Sequence, residues 1–312
     1  YRRDTLTDRW CRINANRTNR EIQCLREEVI DDLIRLSIKN CSFCPDNIET
    51  ATPKFLPEIS KKGRIKRGEA TVFPNLFPFA KYHAMATITK NHYLDAGDFT
   101  KIQIEDTISA SIDYFRRIEP LGAKYFALSW NHLPPSGASI IHPHLQLIGD
   151  EMPTQMTSIS LKASKKYFET NGENYWQRLV NHEEELGERF IGRTGKFAWI
   201  SSFAPLGNNE ISIVFDGGSS LLELTKKDIS DISEGLQHVF EGYTALGKSS
   251  FNFTVYSGLR GLDYFCLNAR IITRPNLQKY YTSDSGFMEV LHQERVVETL
   301  PESLASDIKN FF

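Results

Sequence analysis

The side chains best suited to chemistry lie in one run, Gly137-Ala138-Ser139-Ile140-Ile141-His142-Pro143-His144-Leu145-Gln146-Leu147. The run predicts a strand from Ser139 to Ile148. Because strand side chains alternate between faces, His142, His144 and Gln146 share one side and Ile141, Leu145 and Leu147 the other. Two imidazoles and an amide on one polar face are poorly explained by packing alone. Pro143 cannot donate a ladder hydrogen bond, so the strand is at an edge or leaves the sheet here, within reach of a ligand. Gly137, Ala138 and Ser139 let a ligand approach the backbone and offer amide and hydroxyl donors to anionic oxygens.

Cys41-Ser42-Phe43-Cys44 is the second such feature. Alone it reads as a redox pair, half of a zinc site or two buried thiols. Zinc takes four nitrogen or sulfur ligands at roughly 2.0 to 2.3 Å. Cys11, Cys24 and Cys266 are scattered, so a zinc site needs two histidines. His92, at the end of a strand starting at Tyr82, and His142 are the candidates. A Cys2His2 zinc would clamp the strand carrying His144 and fix its ring. Reduced structural thiols are the other reading.

The elements that position these residues alternate between helices and strands. Helical spacing is kept by Ile22, Leu25, Val29, Leu33 and Leu36, by Ile108, Ile112 and Phe115, and by Ile229, Ile232, Leu236, Val239 and Tyr243. Short β-branched and aromatic runs predict strands over 82–89, 124–130, 139–148, 197–202, 211–215, 251–256 and 264–272. A last helix opens near Pro301, where the missing amide hydrogen does no harm. The order of elements occurs twice. An offset of about 126 lays Phe77-Pro78-Phe79-Ala80 on Phe203-Ala204-Pro205-Leu206 and carries His142 onto Asn268 and His144 onto Arg270. The expectation is an α+β chain of two duplicated halves, each an antiparallel sheet packed with helices. Residues 1–150 form the half with the chemistry, 151–193 a polar connection, and 194–312 a degenerate second half.

Length and charge bound the function. The chain has 312 residues, a net charge of -2 and five cysteines. Near-neutral charge argues against a nucleic-acid partner. No run of about 18 apolar residues predicts a membrane span, and no amino-terminal segment resembles a signal peptide. The few, uneven cysteines favour reduced thiols and a cytoplasmic setting. Three weaker motifs have plain readings. Gly192-Arg193-Thr194-Gly195-Lys196 lacks the glycine and hydroxyl of a nucleotide loop and reads as a turn before a strand. The basic run from Lys61 to Arg67, flanked by Glu58 and Glu69, reads as a solvated loop. His182-Glu183 lacks the second histidine of a helical metalloprotease site.

Along nearly its whole length the sequence resembles the galactose-1-phosphate uridylyltransferase family of the histidine-triad superfamily. The matches are Arg3-Asp4 with Leu6-Thr7-Asp8-Arg9-Trp10, the trailing Arg17 and Arg20, the Cys41/Cys44 pair and Asn75 in Val72-Phe73-Pro74-Asn75. They continue through His92, Asn131, His142-Pro143-His144-Leu145-Gln146 and Phe287-Met288-Glu289. The resemblance implies histidine-triad-like halves and a double displacement. His144 would attack the α-phosphorus of a nucleoside diphosphate sugar, expel a sugar 1-phosphate and hold the nucleotide as a phosphoramidate, a role suited to an imidazole that is neutral near pH 7. Gln146 would donate to the phosphate oxygens; a neutral amide cannot act as a base for water, which protects the intermediate. Cys41, Cys44, His92 and His142 would bind one structural zinc. Arg17, Arg20, Asn75, Asn131, Gly137 and Ser139 would contact nucleoside and phosphates, and the protein would be a homodimer with its site completed across the interface.

The departures from the family are specific. A second metal site known in bacterial members is expected to be absent, because Asn268 and Arg270 stand at its positions. Leu145 replaces a small residue and is similar to the pattern of dinucleoside polyphosphate phosphorylases. Leu76 stands where an acidic residue is usual, and the sugar-contacting residues beyond Phe287-Met288 are not kept. The expected activity is transfer of a nucleoside monophosphate between a nucleotide sugar and a sugar 1-phosphate, with UDP-hexose and hexose 1-phosphate as the leading pair. The alternatives are a phosphorylase using inorganic phosphate on a nucleotide sugar or dinucleoside polyphosphate, and a catalytically silent nucleotide-binding protein.

Overall fold

The computed structural model describes residues 1–19, 29–279, 281 and 283–312. Arg20 and the first half of the helix predicted from Ile22 lie outside the described residues; the rest of that helix runs Ile30–Ser37. The described strands are β1 (Arg2–Arg3), β2 (Trp10–Ile13), β3 (Ile65–Arg67), β4 (Ala70–Pro74), β5 (Tyr82–Thr87), β6 (Tyr125–His132), β7 (His144–Asp150), β8 (Phe190–Thr194), β9 (Phe197–Ser201), β10 (Ile211–Phe215), β11 (Ser250–Tyr256), β12 (Asn268–Arg274) and β13 (Arg295–Val297). Ten of them form one antiparallel sheet in the order β3-β4-β5-β7-β6-β11-β12-β10-β9-β8, and β1, β2 and β13 form a small second sheet. The chain is thus α+β.

The large sheet is two five-stranded units of the same order, joined where β6 pairs with β11. Ser129 lies opposite Thr254 in that pairing, and their hydroxyls meet at 2.8 Å. Each unit contributes one long helix, Lys101–Ile118 and Lys226–Ala245. Both begin with a threonine capping box, Thr100 with Gln103 and Thr225 with Asp228. Ile104, Ile108, Ile112 and Phe115 of the first and Ile229, Ile232, Leu236 and Val239 of the second bury their stripes against one face of the sheet. That face is apolar at alternate strand positions: Ala84 and Ala86, Leu128 and Trp130, Leu145 and Leu147, Phe251 and Phe253, Ala269 and Ile271.

Among the described residues, the opposite face carries apolar clusters at its two ends. The Cys41–Cys44 knuckle packs with Phe73 and Met85 at one end. At the other, Tyr175, Trp176 and Val180 of the helix Tyr175–Leu186 pack on Ala198, Ile200 and Val214. Between them Gln146, Ser129, Asn131, Asn252 and Thr254 are only half-buried.

Several expectations change. The strand expected from Ser139 begins at His144, because Pro143 has no amide hydrogen for the ladder. Strand β7 is interior, between β5 and β6, so of the two readings of Pro143 the structure takes the one in which the strand leaves the sheet. The 151–193 stretch forms the helices Gln155–Asn171 and Tyr175–Leu186 and most of β8. The basic run is a solvated turn at Lys61 and Lys62 but not beyond them. Ile65–Arg67 pairs with β4, and the buried Arg64 guanidinium donates to the carbonyls of Ile48, Thr52 and Pro53 beyond the knuckle. Those carbonyls end the helix Ile48–Ala51, so the arginine serves as its cap.

The repeat register also shifts. His144 pairs with Thr87 and Asn268 with Val214, so β7 and β12 stand 124 residues apart and β5 and β10 stand 127 apart. Asn268, not Arg270, therefore corresponds to His144, and Arg270 corresponds to Gln146. A constant offset fails because the connections in the two halves differ in length.

Candidate active site and metal centre

Four residues converge at the end of the sheet where β7 begins. The ligand atoms of Cys41, Cys44, His92 and His142 all lie within 4.8 Å of one another. Cys44 Sγ is 3.3 Å from His92 Nδ1 and 3.6 Å from His142 Nδ1. The far nitrogens are engaged: His142 Nε2 donates to Thr89 O at 2.9 Å, and His92 Nε2 meets Ser37 Oγ at 2.9 Å. Both rings thus turn Nδ1 inward, with the other nitrogen held by an outer partner, the usual dress of a metal-binding histidine. Without a cation, burial and the neighbouring Cys41 hold the Cys44 thiol up at about 12. Two thiolates here need a divalent cation to compensate them, so the donor set fits one metal ion.

The centre is coupled to His144 in two ways. His144 Nδ1 donates to the carbonyl of His142 at 2.8 Å, which leaves Nε2 as the basic nitrogen. Phe43, inside the Cys41–Cys44 loop, meets the His144 ring edge-on at 5.2 Å and Phe73 at 5.2 Å. His144 is buried, and burial holds its pKa below the ordinary histidine value, only partly offset by the bond to His142 O. The neutral ring is therefore the resting form near pH 7.

Gln146 follows on the same face, opposite Met85 on β5 and Ser129 on β6. Leu145 points the other way, into the helical core, so its side chain does not line this site. The β6–β7 register, continued by one residue, sets Asn131 beside His144. After β6 the chain turns through Leu133, which has φ +69°, and the short turn Pro134–Ser136 to Gly137 at φ +91°. A leucine in that region costs about 1 to 3 kcal/mol, and the loop it shapes leaves Gly137 and Ser139 exposed beside the site.

His83 is the residue that sequence reasoning missed. It is buried on the same face of β5 as Met85 and Thr87. Burial lowers its pKa, and a hydrogen bond with Gln146 works against that. Asn75 Nδ2 lies 3.1 Å from His83 Nε2, and Asn75 Oδ1 accepts from the Phe77 amide at 2.9 Å. Alternation along Tyr82–Thr87 was the available signal, since it puts His83 on the face opposite Ala84 and Ala86. Arg17 stands elsewhere. It approaches Glu298 at 3.7 Å and lines a cavity of about 530 Å³ with Asn208, Arg274, Asp284 and Glu289. That cavity includes the end of β12, three strands along the sheet from His144, or about 14 Å at the usual strand spacing.

No protein-family model matches the chain. The sequence is 32% identical over 272 residues to an uncharacterized protein of Archaeoglobus fulgidus, across 87% of this chain and 81% of that one, and belongs to one family with it. Among solved structures it is similar to an ADP-glucose phosphorylase of Arabidopsis thaliana with bound ADP-glucose, at TM-score 0.75 and 19% identity over 99% of this chain and 97% of the other. It is equally similar to a uridylyltransferase, at TM-score 0.73 and 19% identity over 99% and 97%. The chain has the fold of the galactose-1-phosphate uridylyltransferase family. In this uridylyltransferase fold the His142-Pro143-His144 segment leads into a central strand, with His142 in the set of four residues that could hold a metal ion. Among the described residues no helix is long and apolar enough to cross a membrane.

Proposed function

We propose that the protein is a nucleotidyltransferase working by double displacement on a nucleotide sugar, most simply UDP-hexose with hexose 1-phosphate. The observation that carries the reading is the His144 tautomer: Nδ1 is spent on His142 O, so Nε2 keeps the lone pair of a ring that the register sets on the same face as Gln146 and Asn131. In the first step Nε2 attacks the α-phosphorus, the bond to the bridging oxygen breaks, and the sugar 1-phosphate leaves with that electron pair. Gln146, Ser139, Asn131 and the amides after Gly137 donate to the phosphoryl oxygens as charge builds. In the second step a phosphate oxygen of the acceptor attacks the nucleotidyl-imidazole and restores neutral His144. Asn75 is assigned to nucleoside and phosphate contacts; Arg17, which stands at the cavity by the end of β12, is given no contact at His144.

Zinc is the proposed metal; bound, it would hold the four side chains and so fix the His142 carbonyl that orients His144. A cytoplasmic homodimer, with residues 1–150 supplying the nucleophile, is proposed alongside, and light scattering checks the dimer. The reading in which inorganic phosphate is the acceptor is favoured by the likeness to the ADP-glucose phosphorylase. Leu145, which faces the core, does not bear on that choice.

The experiment is to incubate the protein with UDP-glucose or ADP-glucose labelled at the α-phosphate. Label should stay on the protein, acid-labile and base-stable, and vanish in His144→Asn; no label from either nucleotide sugar would sink the reading. Chasing the adduct with phosphate or with hexose 1-phosphate decides the acceptor.

A further inference from the structure

Strands of both halves meet at the end of the sheet where β7 begins, and one chain of polar side chains crosses between them. Arg274, at the end of β12, donates from Nη1 to Asn252 Oδ1 at 2.9 Å. Asn252 Nδ2 donates to Asn131 Oδ1 at 2.7 Å and to Ser136 O at 2.8 Å. The direction of this chain is forced. A guanidinium can only donate, so the oxygen of Asn252 must face it, and the Asn252 amide nitrogen must face Asn131. The oxygen of Asn131 is thereby consumed, which leaves its amide hydrogens for the side where its nitrogen lies next to Gly137. Arg274 is itself held by Asp284, whose Oδ1 is 2.9 Å from its Nε.

We propose that Arg274 and Asn252 are positioning residues: they polarise Asn131 so that its amide hydrogens, and not its carbonyl oxygen, face an anionic phosphoryl oxygen at His144. The same Asn252 nitrogen pins Ser136 in the strained turn that presents Gly137 and Ser139. The second half thus contributes to the site through hydrogen-bond direction, without touching the reacting atoms. Arg274 and Asp284 also line the 530 Å³ cavity, so a ligand bound there that competes for Arg274 would act on Asn131. The proposal rests on the nucleotidyl-transfer reading for the identity of the anion.

Asn252→Asp is the sharpest variant. Its carboxylate still accepts from Arg274 and keeps the shape, but cannot donate, so Asn131 would flip and point oxygen at the phosphate. The expected result is a fall of about a hundredfold in the rate of nucleotidyl-His144 formation, and about tenfold for Arg274→Met with partial recovery in Arg274→Lys. Asn131→Ala combined with Arg274→Met should be no slower than Asn131→Ala alone, because one interaction is removed twice. Thermal melts show which variants fold. Asn252→Asp at the wild-type rate, or multiplying effects in the double variant, overturns the relay. A wild type that forms no adduct overturns the functional reading instead. In that case UMP or AMP affinity by calorimetry decides the relay: equal affinity in wild type and Asn252→Asp sinks it, and weaker binding in the variant supports it.

Discussion

His144 and Asn268 begin β7 and β12 in the same way. Each side chain donates to the carbonyl two residues earlier, His144 Nδ1 to His142 O at 2.8 Å and Asn268 Nδ2 to Cys266 O at 2.9 Å. From there the halves diverge. Beside His144 stands Gln146, neutral and half-buried on an open face; beside Asn268 stands Arg270, bound to the fully buried Glu210 at 2.7 Å and within 3.7 Å of Asp4. Burial works against the Arg270 charge, and Glu210 and Asp4 outweigh it. His142 belongs to the set of four residues close enough to hold a metal ion, whereas its counterpart Cys266 is a buried thiol pushed up to about 12 by burial and then by Asp216. The same backbone slot is therefore available to chemistry in one half and closed by an ion pair in the other. The fold supplies the slot, and the neighbours decide its use.

The largest test of this contrast is metal removal. Chelation, or Cys44→Ser, should cost stability on the order of 5 kcal/mol and abolish labelling of His144, with metal content read by elemental analysis. A chelated protein with unchanged melting and labelling would remove the metal from the account of the first half. Next comes Arg270→Met, which leaves Glu210 buried without its partner and should destabilise by about 3 kcal/mol in denaturant titrations. Turnover per folded molecule should not change. Arg270→Met with Glu210→Met should recover much of the loss, because the pair goes as a unit. If Arg270→Met alone lowered turnover of the folded protein, the second slot would be more than structural.

The smallest effect concerns Glu302, which accepts from Arg2 of the amino terminus at 2.9 Å and from Arg189, just before β8, at 3.1 Å. Burial pushes its carboxyl up, but the bonds from Arg2, its own backbone and Arg189 outweigh that and hold it at about 2. The folded value is depressed, so the stabilisation is complete above about pH 4.3, the unfolded value, and is lost as pH falls toward 2. Urea midpoints of wild type and Glu302→Gln should converge as pH is lowered from 5.5 to 3. A constant gap would mean that the carboxylate contributes no pH-dependent term.

Local pattern made the first half's site readable. Alternation placed His144 and Gln146 together, and the count of cysteines directed attention to His92 and His142, which the structure brings to one centre with Cys41 and Cys44. The strands over Phe197–Ser201 and Ile211–Phe215 were equally plain, being short runs rich in aromatic and β-branched residues. What escaped depended on distant partners. Arg64 reads as one cation in a basic run, and the distant carbonyls of Ile48 and Thr52 explain its burial. His83 is one polar residue in a buried strand, and its significance lies in Asn75 and Gln146, on other segments. The register of the repeat slipped by two residues because sequence spacing counts loop residues that the sheet ignores.

The joint between β6 and β11 has a consequence for how such a chain could be divided. Cut between the halves, either piece would present β6 or β11 as a long, unprotected border with unpaired backbone groups, the template on which strands of separate molecules associate. Around Ser129 and Thr254 the two borders are self-complementary, so a liberated half would tend to pair with its own copy along the same line. Tethering two such units in one polypeptide turns a concentration-dependent association into an intramolecular one.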